Sequence, residues 1–277
     1  MKRISIIMMA LALVMGMSQC KKNEQAANSN NNGVEPIFTV NISNASKLFF
    51  GNEIDNEIPV MWNAEDIVYV AVDGTCIGFL RGNGASVNLQ TGASQAQFNG
   101  YAEEFNIDAL QEGDIMEFFT LGAAIQPCGN GWGLTQLTFS YADQSVQPAV
   151  LSHGICDQGY NPDPETNYNI YDFANMNVLV KFSLNVATDK QITIKGVKNT
   201  SIVKFDGEVS NSGNSTGDII TFRNHIGNNK VRYAVIPSNQ GAMTGDIEAD
   251  GFTGTFTIPN SAATNGLIKG TINLTAN

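Results

Sequence analysis

The chain has 277 residues and a formal net charge of −11, with 15 Lys and Arg against 26 Asp and Glu. Charged residues make up 15%, and the 27 glycines and 32 asparagines favour turns and short strands over long helices. An acidic chain without a basic cluster is a poor partner for nucleic acid, and two histidines, His153 and His225, leave little for His-based metal sites or acid–base catalysis.

Lys2 and Arg3 precede an apolar run, Ile4 to Met17, broken only by Ser5. Such a run is too short to span a bilayer and has the length of a signal-peptide core. It ends in Met17-Ser18-Gln19-Cys20, followed by Lys21 and Lys22. These residues resemble a bacterial lipobox, which implies a signal peptide over 1–19, cleavage before Cys20 and lipidation on it. Gln19 stands where such signals usually carry Gly, Ala or Ser. More than one acyl chain gives a stable membrane anchor without a transmembrane helix. Residues 20–35 are polar and without apolar periodicity, and read as a flexible tether.

The folded part shows period-two alternation throughout. Phe38, Val40 and Ile42 alternate with Thr39, Asn41 and Ser43. Ile67 to Val72 is an unbroken apolar run that suits a strand buried on both faces. Further strands are predicted over Gln95–Phe98, Ile115–Leu121 and Leu134–Phe139. Helical periodicity is weak and confined to Tyr101–Leu110. After residue 175, Val178, Val180, Phe182, Leu184 and Val186 share one face, and Ile192, Ile194 and Gly196 another. Val231, Tyr233 and Val235 follow, then Phe252, Gly254, Phe256 and Ile258, and finally Ile268, Gly270, Ile272, Leu274 and Ala276. About sixteen candidate strands separated by Gly, Asn, Asp and Pro turns give an all-β chain, about twice what one sandwich holds. Gly154, Gly159, Pro162 and Pro164 cluster in the middle of the chain. This places an N-terminal β-sandwich over 36–150, a connecting loop over 151–175 and a C-terminal β-sandwich over 176–277.

The chemistry-bearing residues form no recognisable catalytic pattern. Gly-x-Ser-x-Gly, P-loop and His-Glu-x-x-His motifs are all absent. The Gly129–Gly133 run carries Trp132 and reads as a hairpin turn. Glu103 and Glu104 read as solvated surface. Asp157, Asn161, Asp163 and Glu165 lie in one loop at a spacing that does not match a calcium loop. No cofactor is expected, and the chain is not expected to be an enzyme. Of the cysteines beyond Cys20, Cys128 and Cys156 lie in Gly-rich loop-like sequence and are the better pair for a disulfide. Cys76 reads as a small buried hydrophobe.

Several segments together resemble the fimbrillin family of type V pilus subunits and related cell-adhesion lipoproteins of Bacteroides-type bacteria. The lipobox is one. The others are Val60–Val70, with Trp62 and Asp66 ahead of a buried strand, Ala96-Gln97-Phe98-Asn99-Gly100, and Phe173–Phe182. The resemblance implies two tandem Greek-key sandwiches of the transthyretin-like kind, and a lipid-anchored outer-membrane protein at the cell surface or in a fimbrium. It also implies proteolytic loss of the first strand and polymerisation with other fimbrillin-type subunits by donor-strand exchange, with a host or bacterial surface receptor as a further partner. The strand removed would be Pro36–Ser43, extending as far as Phe50. The segment Leu267–Ala276 is either the donor or the last strand of its own sandwich. Shaft subunits of the family are typically cut after an Arg, but no Arg lies between Arg3 and Arg81. Lys47 is the one basic residue between Lys22 and Arg81 and is the candidate processing site; otherwise maturation differs, or the protein keeps its lipid, which suits an anchor or an unpolymerised relative. The alternative reading is a surface glycan-binding lipoprotein using Trp132, Tyr160, Tyr168 and Tyr171 as stacking platforms.

Overall fold

The computed structural model describes residues 35–43, 49–50, 60–62, 66–83, 95–120, 133–145, 150–171, 173–210, 216–223, 229–238, 240–260 and 267–277. The chain is all-β, as the alternation predicts, with one 3-10 turn, Ile107–Ala109, among the described residues. The first part contains β1 (Phe38–Ser43), β2 (Phe49–Phe50), β3 (Val60–Met61), β4 (Ile67–Val72), β5 (Thr75–Gly82) and β6 (Gln95–Gly100). It continues with β7 (Met116–Thr120), β8 (Gln136–Ser140), β9 (Ser152–Cys156), β10 (Tyr168–Ile170) and β11 (Ala174–Asn175). The second part contains β12 (Asn177–Leu184), β13 (Thr193–Lys198), β14 (Thr200–Lys204), β15 (Val209–Ser210) and β16 (Thr216–Ile220). It ends with β17 (Val231–Pro237), β18 (Met243–Ala249), β19 (Phe252–Ile258) and β20 (Leu267–Ala276).

Eight strands form one sheet in the order β10-β1-β6-β5-β4-β7-β9-β11. Its end strands, β10 and β11, are joined by residues 171–173 alone, and three residues reach at most about 15 Å between flanking Cα atoms. The sheet therefore curls until its edges adjoin, with β9 against β10. Inside the curl lie Phe38, Val40, Ile42, Trp62, Val68, Val70, Phe98, Phe118, Ile170 and Phe173. Gly154 of β9 allows the closure: a Cβ there would stand 2.4 Å from Phe173 Cδ2 and 3.0 Å from Ile170 Cγ2.

The expected connecting loop over 151–175 is corrected by this sheet, because that span supplies β9, β10 and β11. The signal was weak for a physical reason. The buried positions of β9 are Ser152, Gly154 and Cys156, so the alternation carries no large apolar side chain.

A second sheet has seven strands in the order β16-β13-β18-β19-β20-β12-β17. A third joins β15, β14 and β8, so a strand from within residues 36–150 pairs with one from 176–277. The second sheet is wet on the Thr-rich side of β18, β19 and β20, where Thr253, Thr255, Thr257, Thr271 and Thr275 are exposed. Its other side carries Val180, Phe182, Ile194, Phe256, Ile258, Ile272 and Leu274 into a core shared with Tyr69, Ala71 and Phe119 from the outer face of the eight-stranded sheet. The unbroken apolar run of β4 follows from this. Val68 and Val70 fill the curl, while Tyr69 and Ala71 fill the shared core.

Candidate functional site

The site is the place of β1. Its alternation turns Phe38, Val40 and Ile42 inwards, where they are 5%, 0% and 0% exposed. On one side β1 runs antiparallel to β6, with Val40 opposite Phe98 and Ile42 opposite Ala96. On the other it runs parallel to β10, with Val40 opposite Tyr168 and Ile42 opposite Ile170. The Phe38 ring sits between Phe105 and Tyr168, with centroids 4.9 and 5.1 Å away. On the outer face the Thr39 hydroxyl donates to Asn99 Oδ1 at 3.1 Å, and Asn41 Nδ2 to Asn169 Oδ1 at 3.4 Å.

Burying each of the three apolar side chains contributes about 1.5–3 kcal/mol. Their sum is comparable with the whole stability of an ordinary domain, about 5–15 kcal/mol. Withdrawing β1 would also leave backbone groups of both β6 and β10 unpaired in a dry groove. On these magnitudes β1 leaves only in exchange for another strand that restores the ladders and refills the three positions.

The segment Leu267–Ala276 has the opposite character. It is the interior strand β20, antiparallel to β19 and parallel to β12. A Cβ at Gly270 would lie 2.8 Å from Phe182 Cδ1, so this position is shaped to the ring beside it. Beyond the end of β12 the Asn185 side chain continues the ladder. Its Oδ1 accepts from Leu274 N–H at 2.7 Å, and its Nδ2 donates to Leu274 O at 3.1 Å. In the isolated chain the segment is thus paired along both edges within its own sheet.

Cys20, Lys47, Cys128, Trp132 and His225 lie outside the described residues. Cys156, the expected partner of Cys128, is a buried free thiol, and burial raises its pKa. Cys76 is buried as expected, and its thiol is pushed up to about 11 by burial. His153 is held by Glu117, with Nε2 to Oε2 at 2.8 Å, and its ring lies 4.7 Å from that of Phe119. Glu104 accepts from Arg81 Nε at 2.8 Å through both carboxylate oxygens. In the 157–165 loop, Asn161 Oδ1 and Asp163 Oδ1 accept the N–H groups of Asp163 and Glu165, each at 3.0 Å. These are successive turns made by side chains that mimic backbone, and they use oxygens a cation would need.

The aromatic residues divide. Tyr168 is core, 4% exposed, with its hydroxyl donating to Asn161 O at 2.7 Å and accepting Asn161 N–H at 2.8 Å. Tyr160 is half-buried and stacks on it at 6.3 Å. Tyr171 is 65% exposed. The structure thus removes Tyr168 from any stacking platform.

No known family profile matches the chain, and no curated protein matches it in sequence. Solved structures do match. A putative cell adhesion protein of Bacteroides ovatus aligns with a TM-score of 0.50 and 13% identity, over 88% of this chain and 96% of that one. The chain has the fold of that protein. A putative cell adhesion protein of Bacteroides uniformis aligns at 0.44 and 11%, over 86% and 98%. A fimbrial assembly protein of Parabacteroides distasonis aligns at 0.41 and 9%, over 84% and 90%. The fold shared with the Bacteroides ovatus protein is the all-β fold that the sequence alternation predicts.

Proposed function

We propose that the chain is a surface-exposed fimbrial or adhesion subunit, lipid-anchored through Cys20 until cleavage at Lys47 frees the segment that carries both Cys20 and β1, whose place a strand from another subunit then takes. It is not an enzyme on this reading. The observation that carries the proposal is β1 itself, a short strand with three buried apolar side chains between two strands that both need it. A neighbour's strand would supply main-chain bonds to β6 and β10, and its alternate side chains would fill the positions of Phe38, Val40 and Ile42. A head-to-tail contact of this kind does not close on itself and extends into a filament. The names of the structural neighbours support the same reading. The glycan-binding alternative keeps Tyr171 as its one exposed aromatic among the described residues, and flat binding isotherms across host and dietary glycans would remove it.

The test is to cut the folded chain at Lys47 and mix it with surface-sheared material from the native cell. The expected result is capture into bands that survive a denaturing gel without boiling and collapse on boiling. A cut chain that stays at the monomer position in every mixture refutes the proposal.

A further inference from the structure

Strand β17 ends the seven-stranded sheet. Its sequence, Val231 to Pro237, is largely apolar and β-branched or aromatic, and Arg232 to Pro237 are buried. Left open, the outer edge of such a strand is a template for another strand. The structure closes it position by position. In an antiparallel ladder, alternate residues turn their backbone groups towards and away from the neighbour. Tyr233, Val235 and Pro237 turn away from β12. Tyr233 exchanges two bonds with the backbone of Phe222, at 2.9 and 2.8 Å. Pro237 has no N–H to offer. Val235 meets a side chain: its N–H donates to Gln144 Oε1 at 2.8 Å, and Gln144 Nε2 donates to its carbonyl at 2.7 Å.

The Gln144 amide offers Val235 the acceptor and donor that one residue of an eighth strand would offer. Gln144 is fully buried, and its Nε2 also donates to Tyr141 O at 2.9 Å, which fixes the amide in this orientation. It arrives from residues 133–145, whose β8 is paired with β14. We propose that Gln144 is an edge lock, which seals β17 against pairing with β17 of a second copy of this chain. Two such edges would meet antiparallel about a two-fold axis, because the same patch on each copy is self-complementary. Glutamine is the residue type that fits. Leu offers neither group, and a carboxylate accepts from the Val235 N–H but repels the carbonyls of Val235 and Tyr141.

The experiment is residue-resolved hydrogen exchange and light scattering on the full chain and two variants. In Gln144→Leu, exchange at the Val235 N–H is expected to accelerate by about tenfold, the scale of one lost hydrogen bond. Ala234 and Ile236, which face β12, are expected to keep their protection. The same variant is expected to self-associate with rising concentration. Gln144→Glu carries the test if the Leu variant folds poorly. When ionised it keeps an acceptor for the Val235 N–H but is pushed off by the carbonyls of Val235 and Tyr141, so exchange should lie between the native and Leu rates; when protonated it regains a donor, so protection corrected for intrinsic exchange should rise at acid pH. Unchanged Val235 exchange, or an equal rise at all three residues, overturns the lock. So does a variant that exposes Val235 and stays monomeric at every concentration.

Discussion

Ile42 offers the sharpest test of how β1 is held. Its side chain is fully buried, facing Ala96 across the antiparallel ladder and Ile170 across the parallel one. Ala96 is too small to move into the space that Ile42→Ala would leave, and Ile170 is pinned beside Gly154. The cavity should therefore persist, and the cost should lie well inside the range of about 2–5 kcal/mol for such truncations. A value of about 3 kcal/mol corresponds to roughly a hundredfold in an equilibrium constant. Asn41, on the outer face of the same strand, makes one 3.4 Å side-chain contact, and Asn41→Ala should stay within about 0.5 kcal/mol. Urea unfolding of the intact chain measures both values. In a chain cut between β1 and β4, release of the β1 peptide should accelerate about a hundredfold for Ile42→Ala and barely change for Asn41→Ala. Equal losses from the two variants would refute the assignment of Ile42 as an anchor.

Three further outcomes follow from single contacts. Gly154→Ala would press a Cβ to 2.4 Å from Phe173 and should lower stability by about 1–3 kcal/mol, seen as a reduced urea midpoint. Arg232 is 1% exposed and donates to the carbonyls of Val231, Thr188 and Lys190, with burial pushing its pKa down to about 10. Arg232→Met would strip these carbonyls of a donor, and about 2 kcal/mol of loss should appear as a fall of roughly 4–8 °C in Tm. The Cys76 thiol is raised from 9.0 to about 11, so between these values the unfolded chain ionises while the folded chain holds its proton. Stability is then fully present below about pH 9 and falls as pH rises towards 11, by up to roughly 3 kcal/mol. Cys76→Ala should flatten that part of an alkaline denaturation profile.

How much the sequence disclosed depended on what each strand buries. Strands β1, β12, β19 and β20 set large apolar residues against polar ones, and their spans were legible from alternation. Ile192, just ahead of β13, and Ile194 within it are buried as expected. A register shift between Ile194 and Val197 then buries Val197 and exposes Gly196. Val186, expected inward, lies beyond the end of β12 and is 42% exposed. The weak helical period over Tyr101–Leu110 gives only a 3-10 turn, because β5 captures its backbone: Phe79 N–H donates to Glu104 O, and Asn106 N–H to Ile77 O. The roles of Gln144 and Asn185 had no sequence signal at all. Each depends on which strand edge happens to lie a side chain away, and composition and periodicity do not encode that distance.

The strand edges also bear on the direction of any assembly. If the chain polymerised by itself, it would need both a groove and a donor. The place of β1 provides a groove. The alternating carboxy-terminal segment is the natural donor by pattern, yet β20 is paired along both edges and clamped at Leu274 by Asn185. Withdrawing it would split the seven-stranded sheet into β16-β13-β18-β19 and β12-β17 and uncover Ile272 and Leu274 from the shared core. That loss exceeds what seating the same strand in the β1 groove of another copy would return, since the donor's own sheet stays broken. The chain should therefore accept a strand without donating β20. Two differently tagged preparations, both cut at Lys47 and mixed alone, should give no ladder of self-polymer, whereas a sibling subunit with a free strand should be captured. A self-ladder whose bands require residues 267–276 would show that β20 can be released after all, and would reverse the argument.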